Sequence, residues 1–277
     1  IIYVTMPGYG TSGPYHQRVA FGPVVEPMAG YTHVMGYSEE EPRNTAIGLP
    51  DPICGLNATA AVLTALRQRQ QTGRGAFVEL TLHESAVSHC GPWLIEQQLG
   101  ARLGPYGNRH PGMAPHGVFP AQGDDRWVAV ACRDDGDWRN LVAATAIAFP
   151  PELDLAARHA QAGAIESALA AWTAERDRDA IVARLQAAGI PAGGVNTTPD
   201  MAADPQVQAR EFFVPLDGGT PMPGNPIKMT GLSHADWRPC PRLGGDNRAV
   251  LNAWLGLEDA DVDRLIEEGV LADEPPV

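Results

Sequence analysis

A strand–helix–strand series near the start of the chain constrains the fold more than any other feature of the sequence. Residues 1–6 form a short β-branched run and residues 77–82 alternate apolar with polar side chains, so both are predicted strands. Between them, residues 51–71 predict a helix rich in Ala and Leu, with Asp51 as its N-cap and Pro52 at its first position. Glycines directly after this helix favour a left-handed C-terminal turn. A crossover helix between two strands predicts a parallel sheet, and with it the α/β class.

The middle of the chain has a different sequence pattern. A second Gly/Pro-rich loop occupies residues 104–117, and a hairpin is predicted where two apolar runs flank the polar turn at 123–125. Helical patterns follow at 135–147, 164–175 and 178–188. Residues 118–200 are therefore predicted to form a smaller α+β domain.

The last part of the chain returns to mixed elements. Strands are predicted at 212–214 and 227–229, and helices are predicted to open at Asp246 and Glu258. The chain is thus predicted to divide into three parts. Residues 1–117 form the large-domain core with the active-site loops, residues 118–200 form the small domain, and residues 201–277 return to the large domain.

Charge and cysteine content narrow the classes of function. The formal net charge of the 277 residues is −13 with no basic cluster, which argues against nucleic acid or an anionic membrane as the partner. No apolar stretch is long enough to span a membrane. The four cysteines form no CxxC pair and no metal spacing, so we expect reduced, buried thiols in a cytoplasmic protein and no metal site: Cys54, Cys90, Cys132 and Cys240.

Several short motifs occur in a recognisable order and spacing. They are Gly8-Tyr9-Gly10 with Gly13-Pro14-Tyr15, Asp51-Pro52-Ile53-Cys54-Gly55, Arg69-Gln70-Gln71-Thr72-Gly73-Arg74-Gly75, Gly107-Asn108-Arg109-His110-Pro111, Ala114-Pro115-His116-Gly117, Gly189-Ile190-Pro191-Ala192-Gly193, Asp204-Pro205-Gln206 and Asn225-Pro226-Ile227. Together they make the chain resemble the class III CoA-transferases, the CaiB/BaiF family that includes formyl-CoA transferase-like proteins. Each motif is weak alone, and their common order makes the resemblance specific.

The resemblance implies a fold and an assembly. The family has a Rossmann-like large domain, a small domain, and two chains interlocked as a homodimer. This chain opens at Ile1 inside a strand-like run, so relative to the family it is expected to lack an N-terminal portion. In relatives that portion supplies the opening βα units and many contacts to the CoA nucleotide.

The resemblance also assigns the nucleophile to Asp51. The carboxylate would attack an acyl-CoA thioester, which is covalent catalysis of CoA transfer to a free carboxylic acid. A helix N-terminus favours an anion by roughly 0.3–1 kcal/mol. From local sequence alone, Asp51 is better explained as an ordinary N-cap, and it is the resemblance that favours the nucleophile. Cys54, one turn later, is interpreted as a packing residue.

Two loops are the predicted binding site for coenzyme A or acyl-CoA, which would be the substrate. The resemblance places the central loop over the thioester, where Arg109 can pair with a carboxylate or phosphate. Tyr9, on the loop after the first strand, either stacks on the ligand or packs internally. The predicted binding residues are Gly8, Tyr9, Gly10, Gly107, Asn108, Arg109, His110 and Gly112.

Two alternative functions stay open. An acyl-CoA racemase of the same fold would use an acid–base pair, and racemases of the family carry Gly-His-Asp after the Gly-Pro-Tyr loop. Here Phe21 falls at the histidine position and cannot transfer a proton, which favours the transferase. The second alternative is a non-catalytic subunit, or one half of a fused transferase.

Overall fold

The computed structural model describes residues 1–216, 221–233, 237–238 and 241–272. The chain divides into two compact units, Ile1–Val195 and Asn196–Val277. The strands of the first unit are β1 (Ile2–Thr5), β2 (Ala76–Glu79), β3 (His116–Pro120), β4 (Trp127–Ala131) and β5 (Ala192–Val195). Its helices are α1 (Gly22–Met28), α2 (Tyr31–Val34), α3 (Pro50–Thr72), α4 (Leu82–Val87), α5 (Gly91–Gln98), α6 (Asp135–Thr145), α7 (Leu155–Ala160), α8 (Ala162–Ala174) and α9 (Arg178–Ala187).

The predicted parallel pair is present. β1 and β2 run parallel in the register Ile2↔Ala76 to Thr5↔Glu79, and α3 lies in the connection between them. Gly73 ends α3 in the left-handed conformation at φ 70°, as the sequence predicted. The second predicted strand was too long, however. β2 stops at Glu79, because Thr81 caps α4 by accepting a hydrogen bond from the Glu84 backbone N–H.

A second sheet has the antiparallel order β3-β4-β5. The β3–β4 hairpin was predicted, whereas β5 was not, because its Ala-Gly-Gly-Val sequence has little β propensity. The predicted helices at 135–147, 164–175 and 178–188 correspond to α6, α8 and α9, and α7 was missed.

Large apolar side chains from these helices form a core against the sheet. Ile165 and Leu169 are buried there, and Trp172, which shares their face of α8 at the 3.6-residue helical spacing, packs against the cluster. The Trp138 indole is fully buried and donates a 2.9 Å hydrogen bond to Pro150 O, which satisfies its one polar atom. Each such buried side chain contributes roughly 1.5–3 kcal/mol of hydrophobic stabilisation.

A smaller core lies beside α3. Val25, Ala29, Tyr31, Ala86 and Cys90 are buried together, joining α1, α2 and α4. The helices of this region were not predicted, because residues 22–34 lack a clear apolar period and α1 contains an internal proline. This core packs α1 and α2 against α4, and both α1 and α4 also contact α3.

The second unit contains β6 (Phe213–Pro215), β7 (Pro221–Pro223), α10 (Thr198–Ala203), α11 (Pro205–Ala209), α12 (Asn247–Leu255) and α13 (Asp259–Glu267). Asp246 and Glu258 are the N-caps of α12 and α13, as predicted. The predicted strand at 227–229 is wrong. The antiparallel partner of β6 is Pro221–Pro223 instead, with Val214 opposite Met222.

Candidate active site

Asp51 lies in the first turn of α3, although not as its N-cap. The first helical residue is Pro50 and the N-cap is Leu49, each two residues earlier than predicted. The Asp51 backbone N–H donates a 2.9 Å hydrogen bond to Gly48 O. Asp51 is therefore a helical residue whose carboxylate is not used to cap its own helix. The N-cap prediction for Asp51 is wrong, and its place at the positive end of the helix is retained.

Two glycines face the Asp51 carboxylate. A Cβ atom built on Gly22 would lie 2.6 Å from Asp51 Oδ2 and 2.8 Å from Gly48 Cα. A Cβ atom on Gly48 would lie 3.1 Å from the same oxygen. Gly48 also has φ 61°, a conformation that L side chains rarely adopt. Glycine at both positions is what lets the backbone come this close to the carboxylate.

The carboxylate of Asp51 is exposed to solvent. Among the residues that the structure describes, none donates a hydrogen bond to it or forms an ion pair with it. One helical turn later, the Cys54 side chain is fully buried. Burial raises the pKa of the Cys54 thiol, a hydrogen bond with Ser85 lowers it, and the nearby Asp51 charge raises it, with a net increase. A neutral, buried thiol fits the packing role predicted for Cys54.

The predicted loop Gly8-Tyr9-Gly10 packs onto the elements that surround Asp51. A Cβ atom on Gly8 would lie 2.1 Å from Ala20 Cβ, two residues before Gly22. The Tyr9 hydroxyl donates a 3.1 Å hydrogen bond to Met28 Sδ, and its ring packs against the small core. Gly8 and Asp51 thus contact the same short segment, residues 20–22.

Glu79 holds the far end of this loop. Its carboxylate accepts hydrogen bonds of 2.7 Å from both the backbone N–H and the hydroxyl of Thr11. These hydrogen bonds lower the pKa of Glu79 below its ordinary value. Gly10, buried at φ 95°, lies against the same carboxylate. The loop is therefore anchored at the carboxyl end of β2.

The central loop forms a second part of the candidate site. The Gly107 backbone N–H donates a 3.0 Å hydrogen bond to Gly36 O, and His116 Nδ1 donates one of 2.6 Å to Asn108 O. His110 Nδ1 accepts a 3.0 Å hydrogen bond from the Gly112 N–H. These contacts show that His110 and Gly112 shape the turn itself.

Arg109 is engaged by an acidic side chain that the sequence did not single out. Its Nε and Nη2 donate hydrogen bonds of 2.8 and 2.7 Å to the two carboxylate oxygens of Glu166 on α8. This bidentate geometry is the one that a guanidinium uses for any carboxylate. The hydrogen bonding with Glu166 raises the pKa of Arg109.

Two cavities open beside the central loop. One of about 530 Å³ faces the sheet, and one of about 770 Å³ faces α8. The residues common to both are Gly107, Asn108, Arg109, His116, Gly117 and Val118. Three predicted binding residues are thus brought together at cavities of ligand size. Among the described residues, no hydrogen bond or ion pair joins this loop to Asp51.

Three acidic residues that support these loops were missed by sequence reasoning. They are Glu26, Glu79 and Glu166, which hold the segment before α3, the first loop and Arg109 respectively. Only Glu26 carried a signal, since an acid between apolar residues is unusual for a helix face that becomes buried.

Cys54, Cys90 and Cys132 are free and buried, which confirms the prediction for these three, and Cys240 lies outside the described residues. Within the described ranges, no group of His, Cys, Asp or Glu side chains could hold a metal ion. None of the described helices is both long and apolar enough to cross a bilayer.

The mixed α/β architecture and the order of these loops define the class. The chain belongs to CoA-transferase family III, whose family model matches residues 1–247. The resemblance predicted from the motifs is confirmed.

Particular relatives can be named. The chain is 30% identical to the probable CoA-transferase Rv1866 of Mycobacterium tuberculosis, covering 98% of this chain and 36% of that one. It is 27% identical to the succinyl-CoA–D-citramalate CoA-transferase of Chloroflexus aurantiacus, covering 98% and 69%. The crystal structure of a CaiB/BaiF family protein from Brucella suis matches with TM-score 0.83 and 27% identity, over 91% of this chain and 68% of that one. The chain thus spans about a third of the first relative and about two thirds of the other two.

Proposed function

We propose that this chain transfers CoA from an acyl-CoA to a free carboxylic acid, with Asp51 as the nucleophile. One observation carries the proposal. The Asp51 carboxylate is exposed at the positive end of α3, beside the bare backbone of Gly22 and Gly48. A carboxylate nucleophile needs an oxygen that other groups do not occupy, and no described residue hydrogen-bonds or forms an ion pair with the Asp51 carboxylate.

The transfer divides into two pairs of steps. An Asp51 carboxylate oxygen attacks the thioester carbonyl, the C–S bond breaks, and a mixed anhydride and CoA thiolate result. The thiolate attacks the Asp51 carbonyl carbon of the anhydride, releasing the first acid and leaving CoA on Asp51 as a thioester. The second acid then attacks this thioester, which releases CoA thiolate and forms a second mixed anhydride. The thiolate attacks the acyl carbonyl carbon of that anhydride, which gives the new acyl-CoA and restores the Asp51 carboxylate.

The two loops are proposed to bind the acyl-CoA and the acid. Gly8 lies against Ala20, on the segment that carries Gly22, and Tyr9 donates a hydrogen bond to Met28 at the end of α1, so this part of the loop lies on the Asp51 side. Gly10 lies against Glu79 at the far end of the loop. The central loop residues Gly107 to Gly112 are proposed to close on the thioester. Support comes from the adjoining cavities and from the bidentate geometry of Arg109, whose guanidinium can exchange Glu166 for a substrate carboxylate.

The substrates are proposed to be dicarboxylic acids and their CoA thioesters. The name of the Chloroflexus aurantiacus relative specifies succinyl-CoA and D-citramalate, both of which carry a carboxylate beyond the reacting carbon. An arginine held by an internal carboxylate suits this class, because the second carboxylate of the substrate can take the place of Glu166.

The finer architecture is proposed from the family. The large domain is Rossmann-like with its core in 1–117, the small domain comprises 118–200, and residues 201–277 return to the large domain. The parallel β1–β2 pair supports the first of these statements. The protein is proposed to be cytoplasmic and to assemble as an interlocked homodimer.

Racemisation is disfavoured by the residue beside the Asp51 site. Phe21, at the position of the racemase histidine, immediately precedes Gly22 and is the N-cap residue of α1. A phenyl ring there has no proton to exchange with the carbon next to the thioester. The α-proton of a chiral acyl-CoA is therefore expected to survive incubation without an acceptor acid.

The test compares two aspartates that occupy the same helical position. Asp51→Asn removes the nucleophile at the second residue of α3, and Asp179→Asn alters the second residue of α9. Succinyl-CoA and a panel of dicarboxylic acids are supplied, and a covalent CoA adduct is sought by intact mass. We expect transfer and adduct in the unaltered chain and in Asp179→Asn, and neither in Asp51→Asn. Transfer by folded Asp51→Asn would refute the assignment.

A further inference from the structure

Glu26 is a buried carboxylate that the proposed chemistry does not use. It lies on α1 with no exposed surface. The backbone N–H groups of Thr45 and Leu49 donate hydrogen bonds of 2.8 and 2.9 Å to it, and the Thr45 hydroxyl donates a third. All three donors belong to the short segment that leads into α3.

Holding an acid in this place is costly unless it is fully satisfied. Burial raises the pKa of Glu26, and the hydrogen bonds from Thr45 and Leu49 lower it by more, so that its pKa lies below the ordinary value. No cation pairs with Glu26 among the residues that the structure describes. The carboxylate is therefore held by hydrogen bonds alone, and these bind one segment of backbone firmly to α1.

That segment forms one side of the Asp51 site. Gly48 lies within it, accepts the hydrogen bond from the Asp51 N–H, and contacts the Asp51 carboxylate. The other side is Gly22, one helical turn before Glu26 on α1. A single buried carboxylate thus ties together the two stretches of backbone between which the Asp51 carboxylate lies.

We propose that Glu26 is a positioning residue for Asp51, fixing residues 45–49 against α1 and so setting the place from which the Asp51 carboxylate attacks. The inference rests on the proposed role of Asp51. A carboxylate suits the task because its two oxygens accept the hydrogen bonds from all three donors. An amide at the same place replaces one of these oxygens with an NH₂ group, a donor that would face the donors of Thr45 and Leu49.

The experiment uses the full chain and two variants. Glu26→Gln keeps the shape and removes one acceptor, and Thr45→Val removes only the hydroxyl donor. Asp137→Asn is the control, since Asp137 is another buried carboxylate, which accepts hydrogen bonds from the backbone and side chain of Arg133. Melting temperature, kcat, KM for both substrates, and the single-turnover rate of CoA-adduct formation are measured for each.

The expected pattern separates positioning from general stability. A displacement of the order of 1 Å can cost roughly 100-fold in rate, so Glu26→Gln is expected to slow kcat and adduct formation about 10–100-fold with KM nearly unchanged. Thr45→Val should show a smaller loss of the same kind, and it remains informative if Glu26→Gln does not fold. Asp137→Asn should lower the melting temperature and leave the adduct rate unchanged.

Two results overturn the inference, and they differ. Adduct formation at the unaltered rate in folded Glu26→Gln, or in Thr45→Val if Glu26→Gln does not fold, refutes the role of Glu26 and leaves Asp51 as the nucleophile. Absence of any adduct in the unaltered chain, with transfer still measurable, refutes the Asp51 nucleophile and the positioning role with it.

Discussion

Adding one methyl group at Gly22 is the sharpest available perturbation of the Asp51 site. In Gly22→Ala the new Cβ atom would lie 2.6 Å from Asp51 Oδ2, 2.8 Å from Gly48 Cα and 2.9 Å from Gly48 O. Rotation of the Asp51 side chain can relieve the first contact, but the other two involve backbone. Overpacking of this kind costs about 1–3 kcal/mol in the free energy of unfolding. Because Gly48 and Asp51 are joined by a hydrogen bond, relief of the clash also moves the carboxylate.

The activity loss can be gauged from the same distances. Moving Asp51 Oδ2 to an ordinary contact requires a shift of most of an ångström, and a 1 Å misplacement costs roughly 100-fold in rate. We expect kcat for CoA transfer to fall about 10–100-fold in Gly22→Ala. The assay is transfer from succinyl-CoA to a dicarboxylic acid, read with the melting temperature of the same sample.

Gly91→Ala is a matched control. Gly22 and Gly91 both open a helix and both precede a proline, but a Cβ atom on Gly91 meets no described atom within 4 Å. Gly91→Ala should therefore leave kcat and the melting temperature nearly unchanged. If Gly22→Ala were as active and as stable as Gly91→Ala, the close approach of α1 to Asp51 would have no functional meaning, and the reasoning would be refuted.

The packing and the charges lead to five further predictions. Leu169→Ala, in the core of the first unit, should lower the free energy of unfolding by about 2–5 kcal/mol in urea titration. Gly73→Ala should cost about 1 kcal/mol in the same assay, because φ at this residue is 70°. Burial raises the pKa of Cys132 to about 12, so Cys132 in the native protein should resist iodoacetamide until the chain is unfolded. Stability should also fall as pH rises above the pKa of the unfolded Cys132 thiol, because only the unfolded chain then loses the proton. Glu166→Gln should lower KM for the acid substrate, because Arg109 loses its charged partner; an unchanged or higher KM would count against carboxylate exchange at Arg109.

Elements with strong local signals were predicted correctly. Helix α3 has an Ala-rich interior and a glycine stop, α6 and α9 have aspartate N-caps, and the β3–β4 hairpin has an alternating pattern around a polar turn. These signals act over a few residues and do not depend on the rest of the fold. Helices α1 and α2 were not predicted, for the opposite reason. They are short, and packing onto the smaller core stabilises them.

The wrong prediction of a strand at 227–229 also shows the limit of local sequence signals. A strand was predicted there, but β6 pairs with Pro221–Pro223 instead, a run with two prolines. An antiparallel edge pair of this length tolerates proline, since some of its N–H groups face away from the partner. Pairing partners are chosen by tertiary contact, which no local window contains.

The candidate site likewise has features that the sequence predicted and features that only the structure revealed. The order of motifs along the sequence was enough to identify the family and to select Asp51, Arg109 and the two glycine-rich loops. It was not enough to show that Leu49 rather than Asp51 caps α3, or that Glu166 holds Arg109.

By itself, then, the sequence determined the family, the candidate residues for its chemistry and several of the short elements that present them, because propensity, capping and motif order are properties of neighbouring residues. Only the tertiary structure decided what surrounds Asp51. The approach of Gly22 to Gly48, and the buried Glu26 that ties their two segments together, join parts of the chain about 25 residues apart in sequence, as loop closure and packing allow. Such contacts depend on how helices pack, and they determine where the Asp51 carboxylate lies.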